Sequence, residues 1–243
     1  MVPLKGYTLL FVASSVAIPG EAQAMIPYPK AMIHDIHTHH HPSTPGTAII
    51  QLTPETFSPR PNNFYSVGLH PWDIQDNWRT QMAKLLIMAL HPQVLMIGEA
   101  GLDKKNGASS IELQMEVFRE HIRLSEITSK PLIIHCVKAF DELLTLRRES
   151  KATQPWIIHG FRGGIEQWQQ LTRSGLLVSI GCHYNADLVK RIPLDQILIE
   201  SDDNTLLEST YSSISHDLGI SIEELGQYVA NNAYRLLTCQ ATR

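Results

Sequence analysis

The chain has 243 residues, of which 43% are hydrophobic and 18% charged, with a net charge of −4. That is enough chain for one full α/β core, and an ordinary length for a barrel of alternating strands and helices. The acidic balance argues against a broad basic surface for non-specific nucleic-acid binding, though not against a local basic patch, and three scattered cysteines, Cys136, Cys182 and Cys239, exclude a disulfide scaffold.

The chain opens on Lys5, an apolar stretch from Tyr7 to Ile18, and Ala22-Gln23-Ala24. This is the outline of a secretion signal: a charged start, a short apolar core and a small-residue cut site. It is too short to cross a membrane. The alternative, and the preferred expectation, is an upstream extension of a chain whose start is Met25 or Met32. Residues 1–31 are therefore set apart, and 32–243 are expected to form one barrel domain. The extension reading implies a cytoplasmic protein, and a cut after Ala24 an exported one. No other stretch reads as membrane-spanning, so no stable membrane partner is expected.

From residue 32 onward, short apolar runs alternate with longer amphipathic stretches, the pattern of a parallel sheet with crossover helices. Eight runs read as strands: 32–36, 48–52, 64–69, 94–98, 131–135, 156–159, 176–180 and 196–200. Several are apolar throughout, as strands buried on both faces are. Helices are predicted over about 77–91, 110–129, 138–149 and 164–174, with a weak one at 184–191 and one or two between 221 and 238. Ser221 and Glu224 fit a capping box at the start of the last. The Pro-rich stretch 53–63 offers no helix. The expected fold is an α/β TIM-type (β/α)8 barrel, short and distorted, with its active site at the carboxyl ends of the strands.

Polar residues cluster where those strands finish. His37 and His39 end the first, Glu99 the fourth, His135 the fifth, His159 the sixth and Asp202 the eighth. His37 and His39 are two apart, which puts both on one face of an extended segment, with Asp35 on the same face and His40 on the other. A carboxylate at the end of an apolar strand needs a partner or costs several kcal/mol. Four histidines and two carboxylates on one face are enough to ligate two divalent ions. Imidazole suits Zn²⁺, and carboxylates broaden the range towards Mg²⁺ and Mn²⁺. Glu99 is the natural bridge, because its strand lies between the first strand and the pair that carries His135 and His159. No GxSxG and no P-loop is present. The expected chemistry is hydrolysis by metal-activated water. Cys136 and Cys182 are expected to be small buried free thiols, the alternative being soft metal ligands.

The order of these motifs resembles the TatD family of metal-dependent deoxyribonucleases, over about residues 32–238. Asp35-Ile36-His37-Thr38-His39 resembles its D-x-H-x-H opening, Gly68-Leu69-His70-Pro71 its G-x-H-P segment, and Ile97-Gly98-Glu99-Ala100-Gly101-Leu102-Asp103 its I-G-E-x-G-L-D. Gln114 to Ile122, Pro131 to His135, His159-Gly160-Phe161, Ser179-Ile180-Gly181 and the closing run from Asn232 resemble further family segments. The resemblance implies one metal on His37, His39 and Asp202, and a second on His135 and His159, bridged by Glu99. It implies that Asp202 orients the water and accepts its proton, and that the substrate is DNA cut from a 3′ end. RNA or a small phosphoester is the nearest variant. An amidohydrolase-type enzyme acting on a small-molecule ester, lactone or cyclic amide is the alternative.

The chain departs from the family pattern around the substrate. Val137 and Lys138 follow where the family has an arginine two residues after His135, Arg162 adds a cation, and Lys104 and Lys105 replace aromatic residues. The family's proline after E-T-D is missing from Glu200-Ser201-Asp202-Asp203-Asn204. Lys104, Lys138 and Arg162 are expected to touch phosphate, the alternative being solvated loop charges. The resemblance places His70 near the pocket as a substrate contact, the alternative being a bond to a neighbouring loop. Trp72 is expected to cover the barrel rim, the alternative being a stacking contact with a base.

Overall fold

The computed structural model describes residues 33–238, so the expectations for residues 1–32 and for Cys239 lie outside the described residues. Among the described residues one parallel sheet runs in chain order: β1 (Asp35–Thr38), β2 (Ala48–Leu52), β3 (Phe64–Val67), β4 (Val94–Asp103), β5 (Leu132–Val137), β6 (Trp156–Ile158) and β7 (Leu176–Val178). A parallel connection needs a crossover, and α1 (Trp78–Ala89), α2 (Ile111–Thr128), α3 (Phe140–Ser150) and α4 (Ile165–Arg173) supply those from β3 to β7. After β7 come α5 (Ala186–Val189), α6 (Leu207–Leu218) and α7 (Ile222–Thr238). The Pro-rich connection from β2 to β3 carries no helix, as expected.

The eighth strand expected over 196–200 does not form a ladder. Residues 198–202 instead bridge the two edges of the sheet with single bonds. Ile180 N donates to Leu198 O at 2.9 Å and Glu200 N to Ile180 O at 3.1 Å, on the β7 side. Ile36 N donates to Ile199 O at 3.0 Å and Asp202 N to His37 O at 3.0 Å, on the β1 side. The curled sheet is thus joined through isolated bridges, Ile180 with Ile199 and Thr38 with Asp202. A left-handed backbone at Asp202 (φ 56°) turns the segment away before a longer ladder can form.

Two apolar layers follow from strands buried on both faces. Val67, Ile97, Phe118 and Trp156 belong to the layer under the helices. Ile36, Ile49, Met96, Ile133, Ile157 and Leu198 meet inside the curl. Ala233, Leu236 and Leu237 from the last turns of α7 join this inner cluster and close it at the amino-terminal ends of the strands. The carboxyl ends are left to polar side chains.

Two other elements differ from expectation. Helix α6 was not predicted: Leu207–Leu218 is rich in Ser and Thr, poor helix formers. Burial of Thr210, Tyr211, Ile214 and Ser215 on its inner face stabilises it instead. Strand β4, expected to end at residue 98, continues to Asp103 through a register shift between Ile97 and Ala100. Gly98 makes that shift possible. It has φ of 119°, and a Cβ there would sit 2.2 Å from the Ile133 carbonyl oxygen. Glu99 therefore lies inside a strand and not at its end. Among the described residues no helix is long and apolar enough to cross a membrane.

Candidate metal centre

The residues singled out at the strand ends converge on one point above the inner apolar cluster. His37 lies in β1, and His39 one residue past it. Glu99 lies in β4, His135 in β5, and His159 just after β6. Asp202 comes from the bridging segment. His40 points away, its Nε2 3.1 Å from the Asp203 carbonyl, as the two-residue period requires.

Glu99 occupies the middle. Its Oε1 faces His159 Nε2 at 2.8 Å, His135 Nδ1 at 2.9 Å and His70 Nε2 at 3.1 Å. Its Oε2 faces His37 Nε2 at 3.3 Å and His39 Nε2 at 3.4 Å. Asp202 Oδ1 stands 3.7 and 3.5 Å from those last two nitrogens. Each carboxylate oxygen of Glu99 thus addresses a different set of imidazoles.

The electrostatics follow from that crowding. Burial alone would raise the Glu99 carboxyl, but the His159 charge and hydrogen bonds from His135 and His159 outweigh it and hold the group well below its usual range. Burial alone would lower His159 and His39. Glu99 and Glu200 instead push His159 well up, and Asp202 with Glu99 raises His39 to about 10. Asp202 is held below its usual value, with hydrogen bonding to His39 and the charges of His159 and His37 overcoming its burial. A field that retains protons on buried imidazoles also favours a divalent cation in their place. Both ring nitrogens of fully buried His37 lack a hydrogen-bond partner, although its Nε2 points at Glu99. An orphaned buried nitrogen beside carboxylates fits a metal ligand. Two of the groups that could hold an ion are His37, His39 and Asp202, and His37, Glu99 and His159, with ligand atoms within 4.8 Å of one another.

A second ring of groups orients the first. His135 Nε2 lies 3.1 Å from Asp103 Oδ2, a contact that fixes the ring with Nδ1 turned inward. Burial would raise Asp103, but hydrogen bonds from Asn106 N, Trp72, His135 and Lys105 N bring it down to about 2, so it is ionised and can only accept. His159 turns Nδ1 towards the fully buried Glu200 at 3.4 Å, leaving Nε2 for the centre. His70 is different. Its Nδ1 accepts the Trp72 backbone N–H at 3.2 Å, so in the neutral ring Nε2 carries the proton and donates to Glu99. In that tautomer His70 is a donor to Glu99; with Nε2 free of its proton, His70, Glu99 and His135 form a further group that could hold an ion. Asp35, on the expected face, bonds Ser201 N at 3.0 Å and Ser201 Oγ at 2.6 Å, below the centre.

Two cavities meet at this cluster. One, of about 300 Å³, is lined by His39, Gln51, Thr53, Asp73 and Asp203 together with the cluster itself. The other, of about 450 Å³, is lined by Lys105, Lys138, Arg162 and Phe161, and shares Trp72, His135, His159 and Asp202 with the first. Lys138 and Arg162 line the cleft. Lys104 does not: its Nζ lies 2.6 Å from Glu142 Oε1, and Lys105 lines the cleft instead. Cys136 borders the same cleft as a free thiol, and burial pushes it up to about 12. Trp72 is at the rim, as expected, and donates its indole N–H to Asp103 Oδ2 at 2.7 Å.

A family model described as TatD related DNase matches residues 47–238. The chain belongs to that family. Bacillus subtilis YabD, named as a metal-dependent hydrolase, is 33% identical over 147 residues, 57% of this chain and 58% of that protein. Escherichia coli YcfH, named likewise, is 28% identical over 206 residues, 76% of this chain and 77% of that protein. Escherichia fergusonii TatD, named as a 3′-5′ ssDNA/RNA exonuclease, is 29% identical over 163 residues, 60% of each chain. The chain spans about three fifths of the length of the first relatives it matches. Among solved structures, the TatD homologue YjjV of Escherichia coli superposes with a TM-score of 0.72 at 19% identity, over 86% of this chain and 98% of that one. A TatD family hydrolase from Entamoeba histolytica superposes with 0.66 at 17%, over 79% and 84%. These likenesses establish the short, distorted barrel.

The matched TatD span begins after β1, so the membership of His37 and His39 in the cluster rests on geometry. Two residues inside TatD-like motifs went without a role in the sequence: Asp103 of G-L-D and Glu200 at the head of E-S-D. The signal was present in both. Each is a carboxylate that finishes an apolar run, and each needs a partner to be buried there.

Proposed function

We propose that this TatD-family chain is a two-metal hydrolase that cleaves phosphodiester bonds of DNA from a 3′ end. The observation that carries the reading is Glu99, whose two oxygens face two separate ligand sets. One divalent ion would be held by His37, His39 and Asp202, the other by His135 and His159, with Glu99 shared. Two bound ions of Mg²⁺, Mn²⁺ or Zn²⁺ supply Lewis acidity and lower the pKa of water towards neutrality.

The chain's own residues do the rest. Asp202 is the ionised carboxylate that solvent reaches, its side chain 27% exposed against 4% for Glu99. It takes the proton of the attacking water. Lys138, Arg162 and Lys105 line the adjoining cleft and bind phosphate oxygens on one side of the bond. The opposite side carries Asp73 and Asp203, which repel a further phosphate and suit a terminal sugar. That polarity supports cutting at a chain end. His70 offers an N–H to the centre and holds Glu99 in place. Asp103 and Glu200 fix the ring orientation of His135 and His159.

The test is hydrolysis of a 3′-labelled single-stranded DNA oligonucleotide by metal-depleted protein, by protein with Mg²⁺, Mn²⁺ or Zn²⁺ restored, and by Glu99→Ala. Shortening that needs metal and that Glu99→Ala abolishes is the expected result. No cleavage by protein shown to hold two ions overturns the phosphodiester reading in favour of a small ester, lactone or cyclic amide.

A further inference from the structure

We propose that Trp72 is a stacking platform for a nucleobase of the substrate beside the scissile phosphate. This rests on the phosphodiester reading above and adds the part of the substrate that reading leaves open.

Trp72 is 49% exposed. Other large exposed apolar side chains, such as Ile87 and Leu90 beside α1 and Ile127 on α2, lie on the outer helical layer. Trp72 instead stands at the carboxyl-end face and borders both cavities, the metal-ligand cluster on one side and the Lys105, Lys138 and Arg162 cleft on the other. A side chain that only seals a rim buries its ring. This one leaves half of it open while its single polar atom is occupied inward, on the buried Asp103 carboxylate at 2.7 Å.

The ring is also held firmly. Its backbone N–H is bonded to His70 Nδ1 at 3.2 Å. Asp103, its indole partner, is itself fixed by the N–H groups of Lys105 and Asn106 at 2.7 and 2.8 Å. The His70 and His135 rings meet the indole at 86° and 74°, with centroids 4.8 and 5.8 Å away, so neither imidazole stacks on it in parallel. An ordered, half-open indole between a phosphate-binding cleft and a hydrolytic centre suits a flat ring attached to a phosphodiester. Every base has a π-face, so stacking reads no sequence. Bases within a duplex are already stacked, so the free face is offered by a single strand.

The experiment uses the full-length, metal-loaded protein and three 5′-labelled single-stranded oligonucleotides. One is intact, one lacks the base of its 3′-terminal nucleotide, and one lacks that of the penultimate nucleotide. Wild type should lose about five- to a hundredfold in kcat/KM on one of the two abasic substrates, mainly through KM. Trp72→Leu should bring that ratio close to one, and Trp72→Phe should keep most of it. Ratios taken within one protein cancel any loss of folded or metal-loaded enzyme. A wild type indifferent to both bases, or a Trp72→Leu variant with the wild-type ratio, overturns the platform and leaves the phosphodiester reading intact. No cleavage of any of the three overturns that reading and the platform with it.

Discussion

His121 is the group through which acid should unfasten the segment that carries His70 and Trp72. It lies fully buried in α2. Its Nε2 accepts the Leu69 backbone N–H at 3.0 Å, and its Nδ1 donates to Val117 O at 2.9 Å. Only the neutral ring can do both. Burial is the main cause that lowers its pKa from 6.5 to about 4, against a smaller opposing effect of the Val117 bond. A folded pKa below the unfolded one means that the unfolded chain binds more protons between those values. The contribution is therefore fully present above about pH 6.5, shrinks as pH falls, and levels off below about pH 4. The shift of roughly 2.5 units, at about 1.4 kcal/mol each, is worth about 3 kcal/mol. The assay is urea unfolding of metal-depleted wild type and His121→Gln, at about pH 7.5 and at about pH 4. Glutamine keeps an acceptor for Leu69 but does not titrate, and every other group is common to both proteins. Wild type should lose about 3 kcal/mol more than the variant between the two pH values. Equal losses would refute the assignment of His121 as a neutral, water-free anchor.

Two further predictions concern the centre. Asp103→Asn removes the charged acceptor of His135, so affinity for the ion on His135 and His159 should fall about ten- to a hundredfold while the other site keeps its own. Metal titration followed by calorimetry checks this, and two unchanged sites would refute it. Gly98→Ala places a methyl 2.2 Å from Ile133 O in a backbone with φ of 119°, and should lower the melting temperature and displace Glu99. Gly164→Ala is the control, since a Cβ there meets nothing within 4 Å. Thermal unfolding and metal content of the pair should diverge, and equal behaviour would contradict the account of Gly98.

The amino-acid sequence alone determined the alternation of strands and crossovers, because apolar runs buried on both faces look unlike amphipathic helices. It singled out the candidate ligands as well. His37 and His39 share a face through the two-residue period, and a carboxylate such as Glu99 after an apolar run has to have a partner. Tertiary structure alone decided the rest, since each remaining feature depends on groups far apart in the chain. Helix α6 forms despite its Ser and Thr because it buries Tyr211 and Ile214. Residues 198–202 bridge β7 and β1 in place of a regular eighth strand, with two backbone bonds to the first edge and three to the second. Glu142 on α3 takes Lys104 away from the cleft and leaves Lys105 there. The acceptor role of His70 Nδ1 turns its Nε2 to Glu99, which no residue-type pattern shows. Local chemistry chose which side chains stand at the carboxyl ends, and long-range packing chose which nitrogen or oxygen each one turns to its neighbour.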